Sequence, residues 1–356
     1  MHKALTPKTG APDMTPAFNI KAKHVRETEI KFLVPRKPDD SVDRSVFDQI
    51  ERFFAGKNWI RSSDSKMLLT RQLDTPDRAL YKKGVTLRIR GECEDGDIKT
   101  VNTPDICVKT GKTRLENGAV DRGEYEARIR DFQHIDLKPL YDYYPQDEFP
   151  EIHNALANVK AKDLREFFRI DCIRTRHLID LPDHVSGLPG KRFVGELLLD
   201  DVAYVLDLPG LEHPLVFHHD QEVEMEMMFK PCDYDTNPDA ANHVCSPDLT
   251  EDEAQRGLAA AIRTIQQASG NTLLTNGDSK AERGFMALDK VMGPLQKYLQ
   301  TNKSLPKKSK IHAAFRANPA SNDNHSLEKI HYHLPCDFGP ILRKRPIASS
   351  SINRAP

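Results

Sequence analysis

The residue order predicts an α+β protein, with strands dominating the early chain and helices the late chain. Stretches of alternating apolar and ionised residues recur between Arg26 and Met227, as half-buried strands require, because successive side chains point to opposite faces. Beyond them, two longer stretches place apolar residues at helical spacing, and one opens on a capping signature.

Arg26–Val34 puts Thr28, Ile30, Phe32 and Val34 on one face and Glu27, Glu29 and Lys31 on the other. Ser45–Lys57 carries Phe47, Ile50, Phe53 and Phe54 at helical spacing. Val85–Arg90 alternates Val85, Leu87 and Ile89 with Thr86, Arg88 and Arg90. Ile106–Lys109 is a short strand that sets Lys109 opposite Ile106 and Val108 if Cys107 shares its face. Gly123–Arg130 sets Glu124, Glu126 and Arg128 against Tyr125, Ala127 and Ile129. Asp131–Glu151, polar and proline-bearing, reads as a surface connection, and Pro150–Phe168 as a polar helix. Phe168–Arg176 places Arg174 and Arg176 on one face, and Val194–Asp200 does the same for Glu196 and Asp200. Gln221–Met227 opposes Glu222, Glu224 and Glu226 to Val223, Met225 and Met227. Pro231–Asp248 reads as a second connection. Thr250–Ser269 is the clearest helix: Thr250 and Glu253 make a capping box, Leu258, Ala261, Ile262 and Ile265 form the stripe, and Gly270 ends it. Ser279–Leu299 is the last.

Two architectures accommodate strands with one dry and one ionised face. In a sandwich the apolar faces meet and the charges go to water. In a closed barrel the apolar faces pack outward against helices and the charges line the lumen. Base rates favour the sandwich, since inward charges are costly unless partnered. The charges nevertheless segregate, Glu in some strands and Arg in others, which wetting alone does not require. Carboxylates gathered from several strands suit Mg²⁺ or Mn²⁺, and arginines and lysines suit polyphosphate oxygens.

The chain has 356 residues, 29% of them charged and 38% hydrophobic, with a formal net charge of -1. Without a basic excess, bulk electrostatic binding of nucleic acid is disfavoured. Six cysteines, at 93, 107, 172, 232, 245 and 336, include no Cys-x-x-Cys pair, so they read as reduced thiols. No apolar run reaches signal-peptide or bilayer length, so the expectation is a cytoplasmic protein with no membrane partner, as a monomer or homodimer. The expected organisation is a loose arm over 1–23, one domain over 24–299, and a mostly disordered basic tail over 300–356.

Glu27-Thr-Glu-Ile-Lys31 resembles the E-x-E-x-K signature of the CYTH superfamily, the triphosphate tunnel metalloenzymes. Leu73–Arg90, with its Asp74-Thr-Pro76 turn leading into Arg88-Ile-Arg90, is similar to the next family segment. Lys109, Glu124-Tyr-Glu126, Arg174-Thr-Arg176, Asp200, Glu224-Met-Glu226 and Ser279–Gly284 follow in the family's order. The resemblance spans about Val25 to Leu295 and implies an eight-stranded antiparallel β-barrel whose lumen takes a triphosphate and one or two divalent ions. It implies Glu27, Glu29, Asp200, Glu224 and Glu226 as metal carboxylates, with Asp200 or Glu126 in the assisting place. It implies Lys31, Arg88, Arg90, Lys109, Arg174, Arg176 and Lys280 as phosphate-holding groups, and Lys31, Glu29 and Glu126 as catalytic candidates. Arg128, Arg176, Glu196 and Glu222 read equally well as lumen salt-bridge partners, and Arg283 as a helix surface charge.

The implied activity is metal-dependent hydrolysis of inorganic triphosphate or an organic triphosphate such as thiamine triphosphate or a nucleotide. The alternatives are a class IV-type adenylyl cyclase and a non-catalytic polyphosphate-binding module. Where the cyclase branch carries His-Phe-Asp, this chain reads Gln72-Leu-Asp74, which lowers the cyclase reading. Gly111-Lys112-Thr113 is no P-loop, because the required earlier glycine is Ile106. His218-His219, His331 and His333 read as loop histidines rather than metal ligands.

Overall fold

The structure, a computed structural model, describes residues 24–36, 44–93, 98–114, 119–207, 214–227 and 249–302. The expected arm, the connection after Met227 and the basic tail with His331 and His333 lie outside them. The strands are β1 (His24–Leu33), β2 (Ile60–Asp74), β3 (Thr86–Cys93), β4 (Asn102–Arg114), β5 (Val120–Arg128), β6 (Arg165–Leu181), β7 (Phe193–Leu206), β8 (Leu215–Met227) and the two-residue β9 (Leu274–Thr275). They hydrogen-bond in the order β5-β4-β3-β2-β6-β7-β8-β1-β9. The pairing of β1 with β5 closes the first eight into an antiparallel barrel, and β9 lies against the end of β1. The sandwich favoured by base rates is therefore not adopted.

Two layers of outward apolar residues show why. Ile30 and Phe32 of β1, with Leu197, Leu199, Val223 and Met225 of β7 and β8, form one cluster. It is covered by α1 (Ser45–Gly56), through Ile50 and Phe54, and by α6 (Glu251–Ala268), through Leu258, Ala261 and Ile265. Met67, Leu69, Leu87, Ile89, Ile106, Val108 and Ala127 form a second cluster on β2–β5. The short helices α2 (Ala79–Lys82), α3 (Lys138–Tyr143) and α4 (Pro150–Ala155) cover it with Leu80, Leu140, Tyr144 and Ile152. Each side chain so buried contributes about 1.5–3 kcal/mol, enough to drive the charged faces inward if they find partners there.

The capping box of α6 forms as its sequence dictates: Glu253 N donates to Thr250 Oγ1 (3.3 Å), and Thr250 N donates to Glu253 Oε2 (2.8 Å). A one-turn helix α5 (Asp183–Ser186) precedes β7, and α7 (Lys280–Asn302) ends the described chain. Two expectations are corrected, and one strand is new. The Pro150–Phe168 helix stops at Ala155, because Asn158 takes a left-handed φ of 67° and β6 begins at Arg165. Asp131–Glu151 is no mere surface connection, since Phe132, Leu137, Leu140 and Tyr144 are core residues. β2 has no counterpart among the strands the sequence pattern predicts. Its first half, Arg61–Lys66, is largely exposed, and its second half is buried on both faces, so neither half alternates.

Along β6 and β7 the even-numbered stripe that carries Arg174 and Asp200 turns apolar in one direction, through Cys172, Ile170 and Phe168 and through Val202 and Tyr204. These join Phe217 of β8 and are capped by Phe285, Leu288 and Val291 of α7. The barrel is thus closed at that end by an apolar plug. Gly284 permits the contact: a Cβ there would sit 2.4 Å from the Phe168 ring. No helix among the described residues is long and apolar enough to cross a membrane.

Candidate functional site

Strand register brings the ionised faces together. Lys31 sits opposite Glu224 and Glu29 opposite Glu226 across β1 and β8, while Arg174 faces Asp200 and Asp200 faces Glu222 through β6, β7 and β8. The result is one continuous buried network. Lys31 Nζ donates to Glu29 Oε2 (2.5 Å) and Glu224 Oε1 (2.6 Å). Arg122 donates to Glu29 Oε1 (2.5 Å). Arg174 grips Asp200 with two parallel bonds of 2.9 and 2.7 Å and reaches Glu224 Oε2 at 2.9 Å. Lys280, the first residue of α7, contacts Asp200 Oδ2 (2.9 Å), Glu224 Oε1 (2.6 Å) and Glu222. Bidentate, charge-assisted bonds of this kind fix geometry as well as charge.

A second cluster lies on β3–β5. Arg88 donates to Glu124 (2.8 Å) and Glu126 (3.3 Å), Lys109 pairs with Glu124 (2.9 Å), and the Cys107 thiol donates to Glu124 (3.3 Å). Cys107 therefore shares the face of Lys109 and Glu124, which resolves the register left open by its short strand. Away from the plug the lumen charges grow more exposed: the Glu126 side chain is 46% accessible and that of Lys66 is 38%, against 0% for Asp200. Here Arg176 pairs with Asp64 (2.8 Å) and Glu196 (3.4 Å), outside the central network, and Lys66 pairs with Glu92 (2.7 Å). Arg90 lies on β3 opposite Thr70 and Asp105. The backbone of Glu27 pairs with Arg122, and its side chain lies outside the described residues.

Four findings bear on the expected roles. Arg283 is no surface charge: it is 6% exposed, with Nε 2.8 Å from Asp220 Oδ2, Nη1 donating to the Asp278 carbonyl (2.7 Å) and Nη2 2.5 Å from Glu222 Oε2. Glu222 joins the central acids. His218 and His219 are in β8, not loops, and face Asp220 (3.0 Å) and Asp201 (2.6 Å). Arg122, not among the sequence candidates, extends the Glu124, Glu126 alternation back by two residues and reaches Glu29.

The electrostatics follow from burial against pairing. Burial lowers the Lys31 ammonium, but Glu224, Glu29 and Glu222 outweigh it and hold the pKa above its ordinary value. Lys280 is likewise held well above it, against burial, by Asp200, Glu222 and Glu224. Glu224 is kept well below the usual carboxylate range, against burial, by Lys280 and Lys31. Burial drives Glu222 up to about 7 despite Arg283 and Lys280. Both lysines are thus fixed as cations.

Oxygens of Glu29, Glu224 and Glu226 lie within 4.8 Å of one another, as do those of Asp200, Glu222 and Glu224. All-oxygen carboxylate sets of this size fit a hard divalent cation. The third group of this kind, Cys107 with Glu124 and Glu126, fits it less well, because burial holds the thiol well above its ordinary pKa.

The family model described as CYTH domain matches residues 25–231. Among solved structures, the chain is similar to a candidate adenylyl cyclase from Hippeastrum with a dominant triphosphatase activity (16% identity, 74% of this chain and 95% of that chain, TM-score 0.38). It is similar also to a candidate adenylate cyclase from Bacillus halodurans (15% identity, 72% and 96%, TM-score 0.35). A third likeness is to the RNA triphosphatase domain of a mimivirus mRNA capping enzyme (12% identity, 67% and 89%, TM-score 0.31). No curated protein matches the chain.

Proposed function

Because the chain belongs to the CYTH family, we propose that it is a divalent-metal-dependent triphosphatase working in the charged lumen of its barrel. The observation that carries this is the buried network itself, in which acids of β1, β7 and β8 interleave with cations of β1, β6 and α7. A solvated strand face would leave these groups in water; here they converge.

In this reading Glu27, Glu29, Asp200, Glu224 and Glu226 hold Mg²⁺ or Mn²⁺, joined by Glu222. Such an ion supplies Lewis-acid polarisation of phosphate oxygens. Lys31, Arg88, Arg90, Lys109, Arg174 and Lys280 neutralise the phosphate chain, and Arg176 meets it at the exposed end. Arg174 serves as a planar fork and the lysines as point charges. Lys31, seated between Glu29 and Glu224, is assigned to phosphate binding in this reading. Glu126, half exposed beside Arg88, is the carboxylate placed to orient the attacking water. Catalysis then consists mostly of positioning and preorganised charge.

Hydrolysis is favoured over cyclisation by β2. Gln72 is spent on the Leu87 carbonyl (3.0 Å) and Asp74 on the backbone N–H groups of Leu80 (3.0 Å) and Tyr81 (2.9 Å), so both members of that element serve the turn. The test is a panel of triphosphates with Mg²⁺ or Mn²⁺. Phosphate release that disappears with EDTA and falls at least about a hundredfold in Glu29→Gln is expected, the loss typical of removing one preorganised charge. Cyclic AMP formed from ATP without phosphate release would replace this reading with the cyclase.

A further inference from the structure

Every carboxylate set suited to a divalent ion in the central network already has an ammonium group seated in it. Lys280 Nζ lies among Asp200, Glu222 and Glu224, the same three acids whose oxygens gather within 4.8 Å. Lys31 Nζ lies likewise between Glu29 and Glu224. We infer that Lys280 is a tethered counter-ion that competes with the metal for one seat, so that the metal binds tightly only when a triphosphate draws the lysine away. The inference rests on the proposed function above.

Charge and space oppose joint occupancy. A divalent ion such as Mg²⁺ needs its oxygens at about 2.0–2.1 Å, and a cation that close to the three acids holding Nζ would stand against the ammonium seated among them. Arg174 and Arg283 differ from Lys280 in this respect. Arg174 is a flat fork along Asp200 that also touches Glu224, and Arg283 grips Glu222 while anchored on Asp220 and the Asp278 carbonyl. Both can stay while the seat changes hands. Lys280 alone brings its charge to all three acids, and it does so on a flexible four-carbon stem. Its helix is fixed independently, through Arg283 and through Phe285 in the apolar plug. The ammonium can therefore swing without the backbone moving.

Metal entering with no phosphate present would set a buried ammonium adrift beside a divalent charge. A triphosphate offers that ammonium new oxygens and removes the conflict. Metal and triphosphate should accordingly bind with positive coupling, each tightening the other by the same factor.

The experiment measures Mn²⁺ binding to the full chain without phosphate, by the loss of the free-ion EPR signal. Lys280→Met should bind Mn²⁺ at least tenfold more tightly than wild type. Lys109→Met, which removes a lumen cation seated on Glu124 instead, should shift the affinity less than threefold. Equal affinities of wild type and Lys280→Met overturn the inference, as does an equal gain in Lys109→Met, which would mean a diffuse field effect. If Lys280→Met is destabilised, its thermal midpoint is read with and without Mn²⁺. A larger Mn²⁺-induced rise than in wild type supports the competition, and a rise no larger than wild type's overturns it. Wild type that releases no phosphate from any triphosphate would instead overturn the proposed activity, whatever Mn²⁺ does.

Discussion

Replacing Glu224 by Gln removes one charge and almost no volume, which isolates the electrostatic part of the lumen. Glu224 is 2% exposed and accepts from Lys31 (2.6 Å), Lys280 (2.6 Å) and Arg174 (2.9 Å). The variant leaves three buried cations sharing the remaining acids. Breaking a buried ion pair from one side costs about 3–5 kcal/mol, and the retained amide oxygen, which still accepts one hydrogen bond, places the cost near the lower end. At roughly 2–4 °C per kcal/mol for a domain of this size, the thermal midpoint should fall by about 6–12 °C. Turnover should fall about a hundredfold or more, because the same carboxylate orients both lysines and the metal seat. The assay is circular dichroism melting combined with phosphate release, repeated in Lys31→Met and in the double variant. Contacting residues should show a coupling of about 0.5–3 kcal/mol between Glu224 and Lys31. A variant that melts within about a degree of wild type, with additive effects in the cycle, would refute the idea that these charges hold one another in place.

Gly284→Ala pushes a methyl group to 2.4 Å from the Phe168 ring and 3.0 Å from Tyr204, so it should cost about 1–3 kcal/mol in chemical denaturation while Met286→Ala, on an exposed residue, costs less. The hydrogen bond from Lys191 and the Thr250 N–H hold the Glu253 carboxyl at about 2, below its ordinary 4.5, so its contribution to stability is complete above about pH 4.5 and drains away as pH falls toward 2. Glu253→Gln should therefore flatten that stretch of the acid-unfolding curve and leave the neutral side little changed in slope. Burial, against the pull of Arg88, holds the Cys107 thiol well above its ordinary pKa, so iodoacetamide at mildly alkaline pH should leave it unmodified until denaturant is added, as peptide mass mapping would show.

Sequence pattern revealed β1 because its two faces differ at every step, Ile30 and Phe32 outward and Glu29 and Lys31 inward. It did not reveal β2, whose Met67, Leu68 and Leu69 are all buried: Met67 and Leu69 under the outer helices, and Leu68 in the plug. The closing strand pair was legible only through family likeness, since register between β1 and β5 depends on residues about a hundred positions apart. Arg283 was misjudged because a lone arginine on a late helix is usually wet. Its spacing, three residues after Lys280, was the available sign, because positions i and i+3 share a helix face. Glu222 offered a comparable sign, two residues before Glu224 on the same strand face. What no local pattern supplies is which acid meets which base, because partners such as Lys31 and Glu224 are 193 residues apart.

That separation governs how the protein can be made. β1 leaves the ribosome early, yet β8, one of the two strands that flank it in the barrel, is synthesised nearly two hundred residues later, so the barrel cannot shut until most of the chain has emerged. When β8 pairs with β1, Glu222, Glu224 and Asp200 come together with Lys31 and Arg174, while Lys280 and Arg283 come from further along the chain. Until α7 docks, these acids lack two of their cations and the plugged end lacks Phe285, Leu288 and Val291. A chain terminated before Lys280 would lose more than a helix: Asp200, Glu222 and Glu224 would keep Lys31 and Arg174 near them but lose Lys280 and Arg283.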